Sequence, residues 1–212
     1  MITTNDLEKD ILLSLKGRHW NKMIEGIKRY EVRKKIPNID LPFKALIYAT
    51  KSSKKEDLCY WHEPIVIGDF DIIEISCNIS NGLIVGEIIV DEIVPVDCSR
   101  EVPQSMLDQM CITMEELMKY SGGGTVYAWH ISSVNGYNSP RSISSVLRRV
   151  KQDSEDCVGE CIKCHWHYIS IYYYEDDGCT LPLSSSYDYT FLPIFTAPQS
   201  WCYCYDTKEI KE

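Results

Sequence analysis

Two Ile- and Val-rich segments constrain this chain most: DIIEISC at residues 71–77 and LIVGEIIVDEIV at 83–94, separated by Asn81-Gly82. β-branched side chains lose rotamer freedom in a helix and pack well on a pleated surface, so both segments predict strands. Asn-Gly accepts the positive φ angles of a tight turn, which predicts a hairpin between them. Shorter strands are expected at 11–15, at 29–34, where side chains alternate, at 45–50 and 125–131, in the tyrosine-rich YISIYYY and in the closing WCYCY. Helical spacing recurs in Trp20, Met23, Ile24 and Ile27, with Gly26 near the end of that helix. A short helix is expected at 103–109. Thr113 with Glu116 three residues on has the form of a capping box. Ile143, Val146, Leu147 and Val150 again repeat at helical spacing. Strands and a few short helices together predict an α+β domain.

At 212 residues the chain is long enough to bury a conventional core, and 44% hydrophobic with 25% charged residues is ordinary for a globular protein. No apolar run is long enough for a transmembrane helix, and the start MITTNDLEKD has neither the basic nor the apolar region of an export signal, which predicts a cytoplasmic protein with no membrane partner. Its net charge of −9 is unevenly spread. Up to residue 55, thirteen Lys and Arg face six acidic residues, a balance of +7, so the remainder carries −16. A basic first quarter on an acidic body can focus an anionic ligand on one face.

Several segments match a single pattern: ILLSLK, EGIKRYEVRKKIP, ALIYATK, GLIVGEIIVDEI, GGGTVYAWHISSV and APQSWCY. Together they resemble the ASCH (activating signal cointegrator homology) family of the PUA-like superfamily, in particular its phage and bacterial members. Its most specific segments are the run Gly26, Lys28, Glu31 and Arg33 and the close Pro198-Gln199-Ser200-Trp201. The resemblance covers most of 11–150 and returns at 197–204. It implies a PUA-like small mixed β-barrel with short helices, and a charged cleft that recognises RNA, single-stranded nucleic acid or a modified nucleotide. The implied organisation is a barrel over 1–150, a Cys-rich insertion over 151–190, a closing strand over 191–205 and a tail over 206–212.

The charges of the 29–34 strand suit such a cleft. Alternation puts Tyr30 and Val32 on one face and Glu31 and Arg33 on the other. Arg33 offers a planar fork of donors for a phosphate or a base edge, Glu31 can accept from an exocyclic amine, and Lys28 adds a positive charge. Lys16 can contribute a phosphate contact. Trp129 and Trp201, with Tyr30, are candidates for stacking on a base, and His130, Gln199 and Ser200 complete the expected ligand set. Small members of the family act as amidohydrolases on acylated cytidines through a lysine, a threonine and a glutamate. Lys28 matches the lysine, Glu31 stands where the threonine is expected, and the helix that should carry the glutamate reads Gln109-Met110-Cys111. That departure favours binding over catalysis by Lys28 and Glu31. His130 is a candidate general base, beside the plainer reading of a structural histidine. No P-loop, Rossmann fingerprint, nucleophile elbow or HExxH pattern is present.

Ten cysteines in a chain without an export signal read as thiols or metal ligands rather than disulfides. Cys157, Cys161, Cys164 and Cys179 gather in one segment with His165 and His167, and four thiolates there could close a structural zinc site. Reduced thiols or a redox pair are the alternatives, and no organic cofactor is expected. The functional alternatives are a nucleic-acid or nucleotide-binding module, a hydrolase of modified nucleosides or RNA, and a protein-interaction adaptor with a protein partner.

Overall fold

The computed structural model describes residues 9–66, 73–151, 189–194 and 196–206; Cys157, Cys161, Cys164, Cys179 and the YISIYYY segment lie outside them. The elements are β1 (Asp10–Leu15), α1 (Gly17–Ile24), β2 (Tyr30–Arg33), β3 (Phe43–Ala49), β4 (Tyr60–Val66), β5 (Ile73–Ile79), β6 (Ile84–Asp97), α2 (Gln104–Met110), α3 (Met114–Ser121), β7 (Thr125–Arg141), β8 (Val146–Lys151), β9 (Tyr189–Pro193) and β10 (Trp201–Asp206). Eight strands form one mixed sheet in the order β2-β7-β6-β3-β1-β10-β8-β9, while β4 and β5 form a separate two-stranded ribbon. The β1–β3 pair is parallel and the other pairs are antiparallel.

The apolar run in β1 is explained by burial on both faces, which removes the need for alternation. Ile11, Leu13 and Leu15 join Ala45, Ile47, Ile88, Val90, Trp129, Trp20 and Met23 in one core. Leu12 faces the other way, into a core with Leu46, Tyr48, Ile84, Val146 and Cys204. A third cluster, Val32, Val96, Val126 and Ala128, is covered by Leu107 and Met110 of α2 and Leu117 of α3. Three register irregularities in β6 along its pairing with β7 let that long strand bend and serve all three.

Helix α1 docks its Trp20 ring on β6, and this requires Gly86: a Cβ there would lie 2.5 Å from the ring and 2.4 Å from the Asn135 carbonyl oxygen. The helix ends before Gly26, at φ 71°, as the sequence predicts. Trp20 and Met23 are buried, whereas Ile24 and Ile27 stay exposed. The capping box also forms, with Thr113 Oγ1 accepting from Glu116 N at 3.1 Å and Glu116 Oε2 accepting from Thr113 N at 2.9 Å.

Three expectations are corrected. The sheet is α+β as expected but is open, not a closed barrel: among the described residues β2 pairs only with β7, and β2 and β9 are its edges. The space between β2 and β1 is spanned by the Arg33 side chain instead of a backbone ladder, whose strands must lie about 4.8 Å apart. The expected hairpin across Asn81-Gly82 does not form either. The turn is made, with Gly82 at φ 92°, but β5 pairs with β4 while β6 pairs with β3 and β7. Asn81 is committed elsewhere: its Oδ1 accepts from Cys59 N at 2.8 Å, and its Nδ2 donates to the Thr50 and Asp57 carbonyls at 2.8 and 2.9 Å. Finally, the expected helix around 143–150 is a single 3-10 turn, Ile143–Ser145, followed by β8. Pairing of β8 with β9 and β10 overrides the helical spacing there.

Candidate functional site

Strand β2 is short, but its register against β7 decides what it carries. Glu31 lies opposite Trp129 and Arg33 opposite Tyr127, on the side of the central core, while Tyr30 lies opposite His130 and Val32 opposite Ala128. Cross-strand partners share a face, so Glu31 and Arg33 point inward beneath Trp129. Lys28 arrives from the connection after α1, where both Ile27 N and Lys28 N donate to the Lys22 carbonyl at 2.9 Å.

The three charged side chains form one buried cluster. Lys28 Nζ lies 3.3 Å from Glu31 Oε2, and Arg33 Nη2 lies 2.8 Å from Glu31 Oε1. Side-chain exposures are 4% for Lys28, 8% for Glu31 and 9% for Arg33, so these ion pairs are shielded from solvent. Lys28 Nζ also donates to the Met110 carbonyl at 2.6 Å, one of the carbonyls left open at the end of α2. Arg33 Nη2 donates to the Ser14 carbonyl at 3.2 Å, and its Nη1 to Ser200 Oγ at 3.0 Å. One guanidinium therefore ties β2 to the end of β1 and to Ser200, the residue just before β10.

Two cations surround one carboxylate, so the cluster is positive. Burial pushes the Glu31 carboxyl up, but the Arg33 guanidinium and then the Lys28 ammonium outweigh it and hold Glu31 below the usual carboxylate range. Several polar atoms nearby are buried without a hydrogen-bond partner among the described residues: Arg33 Nε, Trp129 Nε1 and His19 Nδ1. Unmade hydrogen bonds of this kind are costly and unusual in a finished core. His19 lies on α1, and burial lowers its pKa to about 4, against the opposing pull of Glu31. It is therefore neutral at pH 7.

The expected ligand residues separate into groups. Lys28, Glu31, Arg33, Ser200 and Trp129 are brought together. Trp129 is fully buried, edge-on to Phe43 at 5.5 Å, so its ring belongs to the core more than to an open stacking platform. Trp201 packs on it at 6.1 Å and is half-buried. Lys16 and Gln199 are exposed. His130 lies on the opposite face, stacked on Tyr30 at 5.1 Å, with Nδ1 2.6 Å from Asp91 Oδ1. Among the described residues, no group of three or more His, Cys, Asp or Glu side chains is placed to hold a metal ion, and no helix is long and apolar enough to cross a membrane. Sequence reasoning missed His19 and the carbonyls of Ser14 and Met110. Backbone acceptors leave no mark in side-chain identity, and His19 carried no signal beyond its place before Trp20.

The fold and site thus define a mixed α+β sheet domain with a buried cationic cluster beneath one edge strand. Among solved structures, the chain is similar to an ASCH protein from Zymomonas mobilis, at 15% identity and TM-score 0.43, covering 63% of this chain and 73% of that one. Two single-substitution mutants of that protein match at 15% identity with TM-scores of 0.41 and 0.42, covering 63% and 64% of this chain and 73% and 77% of theirs. No family model matches the sequence, and no curated protein matches it.

The low His19 pKa links stability to pH. Between about 4 and the ordinary value near 6.5 the unfolded chain binds a proton that the folded chain does not, so stability falls as pH drops through that window. Glu31 adds in the same direction at lower pH: its depressed folded pKa contributes stability that is present above the unfolded carboxylate value and lost as pH falls through the folded one. Urea unfolding at a series of pH values should show the His19 loss, on the order of 3 kcal/mol, and the His19→Gln variant should flatten it. An unchanged profile in the variant would mean that another group titrates there.

Proposed function

We propose that the chain is an ASCH-type binding module that holds an anionic, planar ligand, a nucleotide of RNA, single-stranded nucleic acid or a modified nucleotide, at the Lys28–Glu31–Arg33 cluster. The observation that carries this is the surplus of buried cation donors: two cations share one carboxylate, and Arg33 Nε has no acceptor among the described residues. A phosphate oxygen or base carbonyl would supply that acceptor and offset the net positive charge. Ser200, whose hydroxyl accepts from Arg33 Nη1, stands where a ligand oxygen would compete. The half-buried Trp201, packed on Trp129, has surface left to cover a base.

Binding is favoured over catalysis because both oxygens of Glu31 are engaged by cations. A carboxylate held below its usual range is a weak proton acceptor at neutral pH. The Cys-rich segment would hold one structural zinc through Cys157, Cys161, Cys164 and Cys179. Protein purified without chelator should then carry about one zinc per chain; a content well below that rejects the metal site.

A thermal-shift screen of nucleosides and mononucleotides, natural and modified, tests the cleft. A ligand present at about a hundred times its Kd should stabilise the folded protein by roughly 2.7 kcal/mol. Arg33→Lys keeps a cation beside Glu31 but removes the planar fork, and should abolish most of that stabilisation while the unliganded protein still unfolds cooperatively. Equal ligand-induced shifts in both proteins would reject Arg33 as the binding group.

A further inference from the structure

Strands β1 and β3 run parallel, so the segments that leave them emerge at the same edge of the sheet. The first carries Lys16 and Arg18, and the second carries Lys51, Lys54 and Lys55; all five are exposed. The two segments are packed together. Thr50 N donates to the Leu15 carbonyl at 2.8 Å, Arg18 Nε lies 3.4 Å from Asp57 Oδ1, and a Cβ on Gly17 would lie 2.1 Å from the Asp57 carbonyl oxygen. The two segments themselves carry two acids: Asp57, buried and turned to Arg18, and the exposed Glu56. Among the described residues, Lys16, Lys51, Lys54 and Lys55 make no ion pair. A charge surplus at this point is the reverse of the acidic remainder of the chain.

A lysine-rich loop is ordinarily a solvated, mobile connection. Here its backbone is held. The Asn81 side chain bonds to Thr50, Asp57 and Cys59, and Ser52 Oγ accepts from Lys54 N at 3.1 Å. The edge also abuts the buried cluster, because the Ser14 carbonyl that Arg33 grips is one residue before Leu15, which receives Thr50 N. A group of exposed cations on anchored loop backbone beside the buried, donor-rich cluster matches the layout of a strand, with phosphates outside and one nucleotide inward.

We propose that Lys16, Arg18, Lys51, Lys54 and Lys55 form a track for the phosphates of a single-stranded polynucleotide whose inserted nucleotide reaches Arg33, so the ligand is a strand rather than a free nucleoside. This rests on the cleft assignment made above. A duplex does not fit, since a paired and stacked base cannot reach a buried cluster without being flipped out.

The test uses the full chain and a short, fluorescently labelled, mixed-sequence single-stranded RNA, with affinity measured across a salt series. The triple variant K51Q/K54Q/K55Q alters only exposed side chains. It should bind roughly tenfold or more weakly at low salt, and its slope of log K against log salt should be shallower by about 2, at about 0.7 for each lost single-strand phosphate contact. Binding of a mononucleotide should not change. If the triple variant matches wild type while Arg33→Lys weakens RNA binding, the track is rejected and the cleft assignment stands. If the same sequence as a duplex binds as tightly as the single strand, the single-strand assignment is rejected. If wild type binds no RNA even at low salt, the track is rejected, and the assignment of the cluster as a nucleotide site falls with it only when the mononucleotide screen also gives no shift.

Discussion

The pairing of Glu31 with two buried cations is the interaction on which the rest of this structure depends. Strand β2 has four residues and a ladder on one side only, which is little to hold an edge in place. Its inward side chains supply the rest. Arg33 reaches the Ser14 carbonyl and Ser200, while Lys28 reaches the end of α2. Glu31 at the centre allows both cations to be buried together. Removing one member of such a buried group typically costs about 3–5 kcal/mol, because the remaining charge is left without compensation. The cluster thereby joins elements that are distant in sequence, and it does so with polar bonds where a closed barrel would use a backbone ladder.

A network built only for stability would be neutral and fully paired. This one keeps a surplus positive charge and, among the described residues, leaves Arg33 Nε and Trp129 Nε1 without acceptors. Neutral His19, also with an unpaired ring nitrogen, adds a polar group without adding charge. The same features that make the cluster expensive as a staple make it suited to an acceptor-rich anion. Outside it, the loops after β1 and β3 bring together five exposed cations of the basic first quarter, Lys16, Arg18, Lys51, Lys54 and Lys55.

Much of this was legible in the sequence where local chemistry decides the outcome. Gly26 ends α1, Thr113 and Glu116 cap α3, and alternation sets Glu31 and Arg33 against Tyr30 and Val32. What the sequence could not show depends on partners far along the chain. The Asn81-Gly82 turn forms, yet strand pairing is decided by β3, β4 and β7 and by the grip of Asn81 on the 50–59 segment. The helical spacing at 143–150 yields to strand partners on both sides that only the fold supplies. Alternation in the expected 125–131 strand already separates His130 from Trp129, and the β2–β7 register adds which of the two shares a face with Glu31. The carbonyls of Ser14 and Met110 are acceptors that any residue could provide.

The central claim is that the buried cationic cluster receives a ligand, and the groups without partners report on it directly. Side-chain N–H resonances of Arg33 Nε and the Trp129 indole can be followed by nitrogen-15 NMR while a nucleoside monophosphate is added. The account predicts that both signals move in a saturable, concerted way, with the Trp129 indole protected from solvent throughout. Saturable shifts confined to exposed residues, with Arg33 Nε and Trp129 unmoved, would contradict it and leave the cluster a structural staple.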